Sequence, residues 1–312
     1  MRVVAWGLWG ALAVTPVQAA EVEDWLARMV DAERRVSFHG TFVYERNGSF
    51  SSHRLWHQVA DDGAVRQRLV QLDGPLQEVV SVNGQVQCVS GAIAEQLGQG
   101  YSWPVRSLDP TRLDHGYQIH LAGYSRIAGR LAAVLLFTPV DQHRYGLELH
   151  LDQQSGLPLK SLLISDKGHL LERLQYTDLA LGESQLADVQ ASINCRALRI
   201  EPRVSVAVED WQVQWLPAGF TQVLTRTHQS SVSGAPVETL VFDDGVASFS
   251  VFLEPLGQAQ AADFRQQFGP TAVASRRINT AQGVMMATVV GEIPLGTAER
   301  IALSVRFLPA AQ

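Results

Sequence analysis

The 312-residue chain holds only two cysteines, Cys88 and Cys195, too few for a disulfide-dense scaffold or a thiolate metal cluster. It has no long basic run and a formal net charge of -6, so nothing in it favours nucleic acid as a partner. A single apolar run stands out, Val3 to Val14, and it is too short to span a bilayer. The motifs that mark common active sites are missing as well. There is no Gly-rich phosphate loop, no Gly-x-Ser-x-Gly elbow and no His-Glu-x-x-His pair. Ser, His and Asp all occur, but a triad is defined by geometry, and their spacing selects none. With no activated nucleophile to name, an enzyme is the least favoured class.

The one apolar run has the form of an export signal. Arg2 gives it a positive start, Val17-Gln18-Ala19 supplies small residues for cleavage, and Glu21, Glu23 and Asp24 follow at once. The expectation is a signal peptide over residues 1–19, cut after Ala19, with no Cys directly after the cut to carry a lipid. In an oxidising compartment the even count predicts a disulfide between Cys88 and Cys195, although sequence does not show their distance. Such a bridge would close a loop of over a hundred residues. The chain-entropy model values it at roughly 4–5 kcal/mol, of which strain can cancel much.

What is present is mostly β pattern. Glu21 to Arg35 has helical spacing, with Trp25, Leu26, Met29 and Val30 on one stripe. From Ser37 the period changes to two, so that Phe38, Gly40, Phe42 and Tyr44 share a strand face. Turn signals then recur at Asn47-Gly48, Asp61-Asp62-Gly63, Asp73-Gly74-Pro75, Asn83-Gly84, Gln153-Gln154-Ser155-Gly156 and Asp166-Lys167-Gly168. Strands joined so closely must be antiparallel. The prediction is a meander of roughly ten strands, large enough to curl, with one or two helices. The pattern divides the chain into a large domain over residues 20–182, a linker over 183–203 and a smaller α+β domain over 204–312. In the smaller one, Phe242 to Phe252 reads as a hairpin through Asp243-Asp244-Gly245, and Val284 to Val290 as a strand. Thr297 reads as the N-cap of a helix through Val305.

Nine histidines raise the question of metal. His53 and His57 lie four apart in a predicted strand, where they share a face but stand about 13 Å apart, too far for one ion. No metal and no cofactor are assigned. A better lead lies in Phe42, Tyr44, Trp56, Leu69, Tyr101, Trp103, Leu135, Phe137, Leu147 and Leu149, which are placed to line the concave face of a curled sheet. They are either plain core or the wall of an apolar groove suited to acyl chains, which gain about 0.8 kcal/mol per buried methylene.

Several stretches resemble the RseB/MucB family. The opening Gly40-Thr41-Phe42-Val43-Tyr44-Glu45-Arg46 with Ser51-Ser52-His53-Arg54 is similar to the start of its first domain. So are Leu72-Asp73-Gly74-Pro75 with Glu78, Arg126-Ile127-Ala128-Gly129-Arg130 and Ser155-Gly156-Leu157-Pro158-Leu159-Lys160. In the second domain Trp215-Leu216-Pro217-Ala218-Gly219-Phe220, Phe242-Asp243-Asp244-Gly245, Val289-Val290-Gly291-Glu292-Ile293-Pro294 and Thr297-Ala298-Glu299-Arg300-Ile301-Ala302 continue it. No one of these is specific, but their joint order spans nearly the whole mature chain.

The resemblance implies a mainly β protein with some α structure. Its large domain would be an unclosed antiparallel β-barrel like those of the lipoprotein carriers LolA and LppX, followed by a smaller α+β domain. It implies a periplasmic, non-enzymatic negative regulator of the envelope stress response. Such a protein binds the periplasmic part of a membrane-anchored, single-span anti-sigma factor and shields it from site-1 proteolysis. Lipid A or another acyl-chain ligand promotes release. A periplasmic lipid or lipoprotein carrier is the alternative, and homodimerisation stays open. Arg265, Arg276, Arg277, Arg300 and Arg306 give the small domain a basic character and are its candidate partner contacts, since arginine pairs with carboxylates and stacks on apolar surface.

Overall fold

The computed structural model describes residues 16–91, 108–182, 186–197, 211–230, 234–256, 262–280 and 283–307. Helix α1 (Pro16–Arg35) buries Trp25, Leu26 and Met29 of the stripe that helical spacing predicts, together with Val22 and Ala32, while Val30 is half-buried beside them. It stops where the alternation begins. In β1 (Phe38–Arg46) Phe38, Gly40, Phe42 and Tyr44 point inward. Gly40 is needed there, because a Cβ would sit 2.6 Å from the Asp178 carbonyl and 2.9 Å from the Tyr176 ring.

The chain then runs through β2 (Ser49–Val59), β3 (Val65–Gln71), β4 (Glu78–Val82) and β5 (Gln85–Ser90). After residues outside the description come β6 (Tyr117–Ile127), β7 (Arg130–Pro139), β8 (Gly146–Asp152), β9 (Pro158–Ile164), β10 (Leu170–Leu181) and the two-residue β11 (Arg196–Ala197). All pair antiparallel in one eleven-stranded sheet, ordered β11-β5-β4-β3-β2-β1-β10-β9-β8-β7-β6. Its end strands β11 and β6 do not pair, so the sheet curls around α1 without closing, as an unclosed barrel does. The tight turns sit on the expected dipeptides: Asn47 and Gly48, and Asn83 and Gly84, have positive φ.

The segment before β11 is strapped to the outside of this sheet. Cys195 is bonded to Cys88 of β5, with Cα atoms 5.5 Å apart. Glu78, fully buried, pairs with Arg68 at 2.6 Å and accepts from the Ser192 backbone N–H and hydroxyl.

The smaller domain adds β12 (Trp211–Val213), β13 (Thr221–Gln229), β14 (Pro236–Asp243), β15 (Ser248–Pro255), β16 (Phe264–Phe268), β17 (Thr271–Thr280), β18 (Gly283–Gly291), helix α2 (Leu295–Ser304) and β19 (Val305–Phe307). Six strands form a sheet ordered β13-β14-β15-β18-β17-β16, and β12 pairs with β19. Ile301, Ala298 and Ala302 of α2 pack on Val251, Leu253, Ala274, Ala287 and Val289. The expected N-cap is corrected here. Pro294 precedes the helix, so Thr297 lies inside it and turns its hydroxyl to His143 Nδ1 of the other domain, at 3.1 Å. Val305 belongs to β19 rather than to the helix.

A candidate ligand cavity and an interdomain seam

Beneath α1 the curled sheet leaves a cavity of about 470 Å³. One side of α1 is packed, with Trp25, Leu26 and Met29 sharing a core with Leu135, Phe137, Leu147, Leu149 and Leu151. Over β2 to β4 the contact is sparser: Ala32 shares a core with Leu55 and Leu69, and Glu33 makes a backbone hydrogen bond with His57. There Leu55, Leu69 and Val79 face empty space across from Leu147, Leu149 and Leu174. Among these apolar residues the lining also holds polar ones: Glu33 and Arg34 of α1, His57, Gln67, Ser81 and Asn83, and Lys160 and Ser161 of β9. His57 is stacked on Phe38 at 4.9 Å and bonded to the Gln67 amide at 2.9 Å, and Ser81 donates to the Gln67 carbonyl oxygen. Burial pushes the His57 imidazole down to about 4, against a small opposing effect of a backbone hydrogen bond with Glu33. Burial also raises the Glu33 carboxyl above its usual range, opposed by the neighbouring Arg34.

The predicted groove residues separate into groups. Leu69, Leu147 and Leu149 line the cavity. Phe42, Leu135 and Phe137 lie in the packed cores beside it. Tyr44 is also buried, but its hydroxyl donates to Glu172 at 2.8 Å at the end of the sheet that meets the small domain. Trp56 is a correction: it pairs with Arg68 in β3 and His39 in β1, on the opposite face from Leu55, with the Arg54 and Arg68 guanidinium groups over its ring. Strand parity decides this, since Trp56 is one residue from Leu55 and must point the other way. Tyr101 and Trp103 lie outside the described residues.

A second feature has no counterpart in the sequence reading. The two domains meet at a seam centred on Arg144, which is 1 % exposed and fully enclosed at its guanidinium. That group donates to Asp244 of the small domain at 2.7 Å, to the Ala218 carbonyl at 2.5 Å and to Asp141 of its own domain at 3.1 and 3.2 Å. It lies between the rings of Tyr117 and Phe220, one from each domain. Gly116 makes the room, since a Cβ there would overlap the guanidinium. Around it Arg112 pairs with Asp243 at 3.0 Å, Tyr145 donates to the Ile293 carbonyl at 3.0 Å, and Arg46 bridges Glu172 and Glu292. Asp243-Asp244-Gly245 is legible as a turn, but each aspartate serves both the turn and the seam: Asp243 accepts from the Gly245 N–H and pairs with Arg112, and Asp244 accepts from the Val246 and Ala247 N–H groups and pairs with Arg144.

The five candidate arginines do not form one patch. Arg265 pairs with Glu299 of α2 at 2.7 Å, Arg276 and Arg306 both donate to the Leu303 carbonyl at the end of α2, and Arg300 covers the Trp215 ring at 3.9 Å. Arg277, next to Arg276 in a strand, faces the other side of the sheet near Asp263.

Residues 21–203 match the MucB/RseB N-terminal domain and residues 205–306 match the MucB/RseB C-terminal domain. The chain belongs to the MucB/RseB family. It is 53% identical over 302 residues to the sigma factor AlgU regulatory protein MucB of Pseudomonas aeruginosa, covering 96% of each chain. It superposes on MucB in the Pseudomonas aeruginosa MucA/MucB complex with a TM-score of 0.82 at 52% identity, covering 93% of this chain and 100% of that one. A crystal structure of MucB gives 0.70 at 51% identity, covering 92% of this chain and 98% of that one. The family is one of sigma-factor regulators, and the chain carries both of its domains.

Proposed function

We propose that this protein is a periplasmic negative regulator of the envelope stress response. It would be exported by a signal peptide at residues 1–19, bind the periplasmic part of a single-span anti-sigma factor and shield it from site-1 proteolysis. The observation that carries the reading is the family match through both domains, together with the close superposition on a MucB that is in complex with MucA. Physically such a regulator needs two surfaces and a coupling between them, not a nucleophile, and a ligand can release the partner only if the two favour different states. The cavity beneath α1 is of a kind that could take an acyl chain, and its largely apolar lining with polar and charged residues among it suits an amphiphile such as lipid A better than a fully polar ligand.

The test is a protection assay. The periplasmic part of the anti-sigma factor is incubated with its site-1 protease, with and without the full chain. Cleavage slowed at least tenfold at saturating protein, and restored by an acyl-chain ligand, is the expected result. An unchanged cleavage rate would reject the reading. The cavity also favours a second reading, a lipid or lipoprotein carrier. That reading predicts co-purifying lipid, detectable by mass spectrometry of an extract, with no protection of the anti-sigma factor.

A further inference from the structure

We propose that the β14–β15 turn, Asp243–Ala247, is a docking key that holds the small domain against the large one in a single orientation, with Arg144 as its positioning residue. Each residue from Asp243 to Val246 makes its own grip on the large domain or seats the one that does. Asp243 takes the Arg112 guanidinium at 3.0 Å. Asp244 meets Arg144 with Oδ2, while its Oδ1 accepts the backbone N–H groups of Val246 and Ala247 at 3.0 and 2.8 Å and so shapes the turn itself. The Gly245 carbonyl accepts from the Asp109 N–H at 3.0 Å. Val246 enters the apolar core of the large domain beside Leu113 and Tyr117.

The arrangement selects as well as binds. A buried ion pair contributes little net stability against solvated charges, but a buried charge without its partner is costly. Sliding the small domain along the seam would leave Arg144 and Asp244 enclosed and apart, which is worse than full separation, where water solvates both. The seam therefore has two favourable states, docked in register or apart, and few between. Asp244 sits so that its charge has no role in the turn that its Oδ1 could not perform as an amide.

The test measures the distance between domains in the full chain. Spin labels at Lys167→Cys and Gln229→Cys, both on exposed positions, should give one narrow distance distribution in the parent protein. Arg144→Met should add a broad, longer component and weaken docking by about a hundredfold. Asp244→Asn keeps the turn's own hydrogen bonds, guards against a simple folding failure of the first variant, and should shift the docked-to-separated ratio by about tenfold. Unchanged distributions in a folded Arg144→Met or in Asp244→Asn would overturn the key. The anti-sigma protection assay, which rests on the proposed function, is run in parallel. No protection by the parent protein would sink that reading while leaving the distance result to decide the key.

Discussion

Among the described residues each domain lays one helix on an antiparallel sheet, but the two helices cover their sheets differently. In the smaller domain α2 faces six strands, and the residues beneath and on it include Ala272, Ala274, Ala287, Ala298 and Ala302, so backbones approach closely. In the large domain α1 faces eleven strands. Strands spaced about 4.8 Å apart make that sheet far wider than one helix of about 10 Å diameter can cover, even when curled. The helix settles mainly on β6 to β8 and leaves much of β2 to β4 facing the cavity. An unfilled interior is thus a consequence of strand number against helix number, and the large domain must be held by other means.

One such means is the cross-link, and removing it should give the largest effect. Cys195→Ser opens a loop of 107 residues, which the chain-entropy model values at about 4–5 kcal/mol. Unfolding followed by calorimetry should show the large-domain transition falling while the small-domain transition stays put. Equal shifts in both would mean that the domains unfold as one unit.

The two interiors should also respond unequally to truncation. Ile301 is fully enclosed beneath α2, so Ile301→Ala should cost about 4 kcal/mol, near the upper part of the range for core truncation. Leu149 borders a space that already exists, so Leu149→Ala creates less new void and should cost about 2 kcal/mol. Chemical denaturation of the two variants checks the ratio. A larger loss for Leu149→Ala would show that the cavity is closed in solution.

How much of this was legible follows from the range of each interaction. α1 and the hairpins could be read because helical spacing, period-two alternation and Asn-Gly turns are local. The curled, unclosed sheet followed from them. Strands β13, β16 and β17 were not identified, for residues such as Phe264-Arg265-Gln266-Gln267-Phe268 lie on an edge and their faces differ little in polarity. The Ala128–Gly129 turn was not read as one either, because Ala at φ 47° is an unusual choice there. The seam is not legible, since Arg144 and Asp244 are separated by 100 residues, Arg144 stands in no motif, and the turn motif that holds Asp244 does not report a distant partner. Trp56 was placed on the wrong face by counting aromatics without counting parity.

Acid should separate the domains again. His57 is held neutral by burial at the cavity edge, with its pKa lowered to about 4 from an ordinary 6.5. The folded state therefore binds this proton more weakly than the unfolded chain. Stability from the neutral ring is fully present above pH 6.5 and is lost as pH falls from there toward 4. At pH 5 the loss is about 2 kcal/mol relative to pH 8. The small domain carries one histidine, His228, on an exposed position, so its stability should change less over the same interval. His57→Gln should reduce the large domain's pH dependence between 6.5 and 4, with the remainder set by His53, His143 and His150, which burial also holds below the usual imidazole range. An unchanged slope would show that another group sets it.

The smallest effect tests the comparison most directly, because it has opposite signs in the two domains. Val79 lines the cavity, so Val79→Leu adds a methylene where space is already available. It should stabilise the large domain by up to about 0.8 kcal/mol, the value of one buried methylene. Ala287 is fully enclosed in the small domain, where Ala287→Val has no space to enter. Forcing the added carbons against α2 should cost about 1 kcal/mol. Denaturant midpoints at constant slope measure both. The same Val79→Leu variant should bind laurate more weakly, since its gain comes from the volume that an acyl chain would occupy. Stabilisation without weaker laurate binding would place the chain elsewhere on the protein, and destabilisation by Val79→Leu would mean that the cavity is too small to hold one.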